Sequence, residues 1–217
     1  MPPRGAFIVL EGLDRSGKTT QVKLLEERLR AAGRPVKTMR FPDRSTTIGG
    51  MIDGYLKSDV ELEDHVIHLL FSANRWETAR TIISTLEQGT SIICDRYVHS
   101  GIVYSAAKGN PSLDVGWASA PERGLPRPDR VVFLDLTPEE TSRRGGWGDE
   151  LYEKAEMQNR VRRLFRGLAG EGEAEAKRDE DVVVVSAAGA IDTVAENIWQ
   201  VVEGVIDGVS GEPRMIE

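Results

Sequence analysis

Short apolar runs alternate with longer stretches whose apolar positions fall three and four apart. Residues 6–11 (Ala-Phe-Ile-Val-Leu-Glu) are apolar and rich in branched side chains, which predicts a buried strand ended by Gly12. Residues 18–32 place Val22, Leu24, Leu25 and Leu29 on one side of a helix that Gly33 stops. The same alternation predicts strands over 36–41, 91–95, 130–136 and 182–186. Helices are predicted over 46–57, against the cost of Gly49 and Gly50, and as one long segment over 63–88 capped by Gly89. Further helices fall at 100–108, 113–119, 138–144, 150–168 and 191–206, and 170–181 reads as an exposed acidic loop. Strand following helix in this rhythm implies right-handed crossovers and a five-stranded parallel sheet flanked by helices, an α/β fold. No repeat or composition break divides residues 1–217, so a single domain is expected.

Composition narrows the classes. The chain has 217 residues, a net charge of −7 and 40% apolar residues, which is globular and argues against a broad nucleic-acid surface. No apolar run reaches the roughly 18 residues of a membrane span, and residues 1–10 lack the shape of a signal peptide. The single cysteine, Cys94, allows no internal disulfide. The expectation is a soluble protein of the cytoplasm or nucleus, with no membrane and no nucleic-acid partner.

The first strand runs into Gly12-Leu13-Asp14-Arg15-Ser16-Gly17-Lys18-Thr19, followed by Thr20 and a helix. This is G-x-x-x-x-G-K-[ST] in the context the motif requires. The glycines turn backbone N–H groups inward, the helix adds its positive end, Lys18 meets the outer phosphates, and the Thr19 hydroxyl can ligate Mg2+. A nucleoside triphosphate is the expected ligand. Asp95, closing an apolar strand, is the second candidate Mg2+ residue; otherwise it is a helix cap.

No asparagine is followed by lysine, so the guanine-reading segment of a regulatory GTPase is absent. Two further clusters stand at predicted strand ends: Phe41-Pro42-Asp43-Arg44-Ser45 and Asp95-Arg96-Tyr97. Arg44 and Arg96 together can clamp a second, monophosphate group; either alone reads as a surface residue. Phe71 and Arg75, four apart, share a helix face and offer either a base platform or a core aromatic with an arginine at its rim. His65 and His68, three apart among acidic residues, read as a solvated face and not a metal site.

With Leu69-Leu70-Phe71-Ser72-Ala73-Asn74-Arg75-Trp76 and Ser100-Gly101, these clusters resemble the motifs of the thymidylate kinase family, in its order and spacing and closer to its eukaryotic type. The resemblance runs from about Gly5 to the last helix. It implies a P-loop nucleoside monophosphate kinase with a short lid over about 137–158, moving the γ-phosphate of ATP to dTMP to give dTDP and ADP for dTTP synthesis. Mg2+ and a homodimer come with it. Arg15 is then the catalytic arginine of the loop, acting with Lys18, Asp95 and Arg96, and the ATP site includes Gly12, Ser16, Gly17, Thr19 and Thr20. Asp14 accepts from the 3′-hydroxyl of dTMP, and Arg44 and Arg96 hold its phosphate beside Phe41. Phe71 stacks on thymine, Arg75 donates to its 4-carbonyl, and Ser105 lies near its polar edge. Ser100 and Gly101 line the pocket, Tyr104 crowds the 2′ position, and Tyr152 and Gln158 close over the acceptor. Arg143, Ala187 and Ala188 border adenine. The chain departs from the family at Leu151, where an arginine is common, and at Trp147, where phenylalanine is common. The helix face holding Val66 and Leu70 is a candidate dimer surface. Three rivals stand beside this reading: a deoxynucleoside kinase, a kinase for another monophosphate and a nucleotide-binding module without turnover.

Overall fold

Phe7–Gly12 (β1) is buried at every position, and its side chains alternate between two apolar clusters. Phe7 and Val9 face one cluster; Ile8 and Leu10 face the other. A strand apolar on both faces belongs in the middle of a parallel sheet. β1 lies between β3 (Ser91–Asp95) and β4 (Arg130–Asp135); β2 (Val36–Arg40) and β5 (Val182–Ser186) complete the all-parallel order β2-β3-β1-β4-β5. This computed structural model describes residues 3–137, 140–141, 152, 155–171 and 178–217.

Helices cover both faces. On one side α1 (Lys18–Ala31) contributes Val22, Leu25 and Leu29, and the final helix, α8 (Ile191–Gly208), contributes Val194, Ile198 and Val202. On the other lie α4 (Ala79–Glu87), α5 (Val98–Ala106) and α7 (Ala155–Leu168), with Ile82, Val103 and Phe165 among their buried residues. α2 (Thr47–Leu56) and α3 (Asp64–Trp76) pair over a smaller cluster of Ile52, Tyr55, Leu56 and Ile67. α6 (Val115–Ser119) leads into a short 3-10 turn at Ala120–Glu122.

The expected long helix over 63–88 is in fact α3 and α4. Thr78 breaks it by turning both its N–H (3.1 Å) and its hydroxyl (3.0 Å) onto the Arg75 carbonyl. Of the glycines of α2, Gly49 has a steric reason to be there, whereas a Cβ on Gly50 would meet open space. A Cβ on Gly49 would stand 1.8 Å from the Asp43 carbonyl oxygen, so the helix approaches the turn after β2 only through glycine. The helix expected over 138–144 lies largely outside the described residues, as do Trp147, Leu151 and much of the acidic stretch. Of the two dimer candidates, Val66 is 45% exposed, whereas Leu70 packs half-buried on the α2–α3 cluster. No described helix is long and apolar enough to cross a membrane.

Candidate active site

In strand register, Arg40 and Leu10 both stand opposite Asp95, so the carboxyl ends of β2, β3 and β1 are level. Ligands of open α/β sheets bind at such an edge. The loop after β1 curls through left-handed backbone at Arg15 (φ 65°) and Gly17 (φ 93°) before α1. Arg15 and Arg96 (φ 67°) both hold this uncommon conformation for a non-glycine residue, and both stand at the cleft. The first turn of α1 carries no acidic residue and no side-chain cap, which leaves its N–H groups facing the loop for an anion.

Lys18 is buried with Nζ 2.7 Å from the Leu13 carbonyl oxygen and 3.4 Å from Ser16 Oγ. Burial, then the Arg96 charge, push its pKa down to about 8, against the pull of Asp14, Asp95 and Glu11. A polyphosphate supplies the negative charge that this ammonium lacks. Thr19 donates to Asp95 Oδ2 at 2.7 Å, while Asp95 Oδ1 is buried without a hydrogen-bond partner. An orphaned carboxylate oxygen beside a hydroxyl at a phosphate loop fits an octahedral cation held mostly by water and phosphate. No described group of three or more His, Cys, Asp or Glu could hold a metal by protein ligands alone.

Beside the loop lies a cleft of about 400 Å³. Asp14, Arg15, Phe41, Arg44, Phe71, Arg75, Arg96, Ser100, Gly101, Tyr104, Ser105 and Tyr152 all line it. Residues far apart in the sequence are therefore brought together. Gln158 reaches the cleft through Asp14 Oδ2 at 3.3 Å and holds the Tyr152 carbonyl at 2.7 Å. Gly12, Ser16, Gly17, Thr19 and Thr20 belong to the phosphate loop and the first turn of α1. Ala187 and Ala188 follow β5 at the same sheet edge but do not line the cleft, and Arg143 lies outside the described residues.

Arg15, Arg40, Arg44, Arg75 and Arg96 line the cleft together with the apolar side chains of Phe41, Leu56 and Phe71. Arg96 donates to Asp14 Oδ1 at 2.5 Å and to Ser100 Oγ at 3.0 Å. Burial works against the Asp14 charge, but Arg96 and Lys18 outweigh it and hold its carboxyl below the usual range. Arg44 donates to Asp53 Oδ1 at 2.7 Å. The Arg75 guanidinium, also in the lining, is buried and gripped by Glu122 through Nε (2.8 Å) and Nη2 (2.5 Å). A Cβ on Gly101 would lie 2.6 Å from Arg75 Nη2, so only glycine leaves room for it.

His68 corrects the solvated-face expectation. It is fully buried, with Nδ1 2.7 Å from Ser105 Oγ and Nε2 2.9 Å from the Ala118 carbonyl oxygen. His65 stays near the surface, its Nδ1 2.7 Å from Glu63 Oε1.

The sequence model of one family, described as thymidylate kinase, matches residues 10–198. The chain belongs to the thymidylate kinase family. The thymidylate kinase of Arabidopsis thaliana is 46% identical over 97% of this chain and 76% of its own. The Homo sapiens thymidylate kinase is 43% identical over 97% and 95%. The solved thymidylate kinase of Candida albicans superposes with a TM-score of 0.86 at 36% identity, covering all of both chains. The eukaryotic-type resemblance and the P-loop kinase fold are thereby established.

Several residues that shape this cleft carry no motif of their own. Glu11 is buried and accepts from Tyr97 N (2.9 Å), Ser100 N (3.1 Å) and Ser100 Oγ (2.5 Å), which fixes the turn presenting Arg96. Asn74 Oδ1 accepts from Asp43 N at 2.8 Å, and its Nδ2 donates to Thr46 Oγ1 at 3.0 Å, which pins the Arg44 loop. Glu122 anchors Arg75, and Arg40, at the end of β2, adds a cation to the cleft. In the sequence Glu11 read only as a strand end.

Proposed function

We propose that the protein transfers the γ-phosphoryl group of ATP to dTMP, giving dTDP and ADP. The observation that carries this is one cleft continuous with the phosphate loop through Asp14 and Arg15, lined both by Arg40, Arg44 and Arg96 and by Phe71 and Arg75. A neutral nucleoside has no group to meet those cations; a monophosphate does.

The mechanism is positioning and charge neutralisation. The phosphate loop and Lys18 hold the donor, whose γ-phosphate faces the cleft. Arg44 and Arg96 align the acceptor phosphate for in-line attack, and that oxygen is already ionised, so no strong base is required. Arg15 neutralises charge on the transferred group, as an arginine finger supplied in cis does. Asp14, kept ionised by Arg96 and Lys18, accepts from the sugar 3′-hydroxyl. Phe71 stacks on thymine, Arg75 donates to its 4-carbonyl, and Tyr104 crowds the 2′ position. Thr19 and Asp95 would hold Mg2+, which when bound neutralises phosphate charge. Tyr152 and Gln158, in the segment 137–158 that we assign as the lid, exclude water from the acceptor. Arg143, Ala187 and Ala188 are assigned to the adenine side.

We assign the homodimer contact to the outer faces of α2 and α3. Met51, Val66, Leu69 and Trp76 are 42–55% exposed there, and Val66, Leu69 and Trp76 fall on one helical stripe. Leu69→Glu should yield a monomer by light scattering; an unchanged mass contradicts the assignment. We assign the protein to the cytoplasm or nucleus.

The test is ADP release from ATP and Mg2+ with dTMP, dUMP, dCMP, dGMP and thymidine offered separately. Fast turnover with dTMP, slower with dUMP and none with the rest is expected. Activity on thymidine but not dTMP overturns the role of Arg44 and Arg96, and ATP binding without turnover indicates a binding module.

A further inference from the structure

His68 is a fully buried titratable group for which phosphoryl transfer itself has no use. Two contacts fix its ring. Nε2 lies 2.9 Å from the Ala118 carbonyl oxygen, which can only accept, so Nε2 carries a hydrogen. Nδ1 lies 2.7 Å from Ser105 Oγ. Burial and then the Arg75 charge disfavour the imidazolium and move the ring below its ordinary 6.5. The Glu122 carboxylate, 4.0 Å from Nε2, and the carbonyls of Ala118 and Gly101 pull the other way without prevailing. Glu122 is itself occupied by two bonds from Arg75. In the neutral ring Nδ1 is then a bare acceptor, and the hydrogen of that contact comes from the Ser105 hydroxyl.

A serine hydroxyl ordinarily rotates to donate or to accept. Ser105 cannot: its one hydrogen is committed to His68, and only lone pairs remain. Ser105 lines the cleft together with Arg75, which can only donate. The cleft lining therefore presents a fixed donor and a fixed acceptor. A pyrimidine with a 4-carbonyl and an N3–H is the complement of that pair. Cytosine, with a 4-amino group and a bare N3, is its inverse and would leave both protein groups facing their own kind.

We propose that His68 is a specificity-determining positioning residue, which takes the Ser105 hydroxyl hydrogen and so fixes Ser105 as an acceptor for the base N3–H, directly or through one water. The inference rests on the dTMP reading of the cleft. His68 does not touch the nucleotide; it acts through Ser105.

The test uses the full-length enzyme with ATP and Mg2+, and compares kcat/KM for dTMP and dCMP in wild type, His68→Gln, Ser105→Ala and the double variant. Glutamine keeps an amide donor for the Ala118 carbonyl but replaces the rigid ring Nδ1 by an amide oxygen on a flexible arm, so the serine hydrogen is no longer held to one acceptor. His68→Gln should lower the dTMP-over-dCMP ratio by about 10-fold or more, through KM more than kcat. Ser105→Ala should lower the same ratio, and adding His68→Gln to it should change the ratio no further. In wild type, 15N NMR of the ring should show Nδ1 bare and Nε2 protonated. A protonated Nδ1, or a folded His68→Gln enzyme with its discrimination intact, overturns the inference. Should His68→Gln fail to fold, the wild-type ring spectrum and the Ser105→Ala ratio decide between the same two outcomes. A wild type inactive on dTMP overturns the function reading instead; an active one with discrimination unmoved by His68→Gln overturns only this inference.

Discussion

Replacing Glu122 by glutamine isolates what holds the base-reading arginine. The Arg75 and Glu122 side chains are 2% and 0% exposed, and two hydrogen bonds join them. Removing the charge of one partner in a buried pair costs about 3–5 kcal/mol, because the other is left uncompensated. Glutamine keeps the volume and one acceptor oxygen, but turns amide hydrogens toward the second guanidinium nitrogen, so the lower end, about 3 kcal/mol, applies. For a chain of this size that is a fall of about 10 °C in the melting temperature. Thermal melts by circular dichroism should show it, and urea titration should move the midpoint without changing the slope. The loosened Arg75 should also raise KM for dTMP while leaving KM for ATP near wild type. The double variant Arg75→Met/Glu122→Leu removes both charges and should recover most of the stability without recovering dTMP affinity. A Glu122→Gln enzyme that melts with wild type and keeps its KM would refute the reasoning.

The other predictions concern the donor side and the room around Arg75. Arg15→Ala should lower kcat by about 1,000-fold and leave dTMP binding by calorimetry nearly unchanged, as expected of a charge used on the transferred group; equal losses in both contradict that role. Lys18, pushed down to about 8 from an ordinary 10.5, must be charged to hold phosphate. ATP affinity should therefore fall as pH rises above 8, by up to about tenfold per pH unit, and Lys18→Arg should abolish that dependence. The stability of the ligand-free protein should move oppositely over pH 8–10.5, rising as the buried ammonium is lost, because there the unfolded chain binds more protons than the folded one. Gly101→Ala, whose Cβ would meet Arg75 Nη2 at 2.6 Å, should raise KM for dTMP and spare KM for ATP.

The parts of this enzyme that contact one another within a few residues were legible in its sequence. The phosphate loop, the five strands and the clusters at their carboxyl ends are contiguous, so spacing alone places them at one sheet edge. The supports of those clusters were not. Arg75 depends on Glu122, His68 on Ala118 and Ser105, and Asn74 on Asp43, and each pair is formed by tertiary packing between residues 31 to 50 apart in the chain. In the sequence such residues look like any polar position on an amphipathic helix. The long-helix error has a different, local root. Thr78 ends α3 through a local hydrogen bond, with neither glycine nor proline to announce it.

The most direct measurement is to follow the labelled phosphoryl group of γ-labelled ATP in the presence of Mg2+ and dTMP, separating the products by chromatography. The account predicts label on dTDP in proportion to the ADP formed, with little inorganic phosphate. Label released mainly as inorganic phosphate, or transferred to thymidine in preference to dTMP, would contradict it.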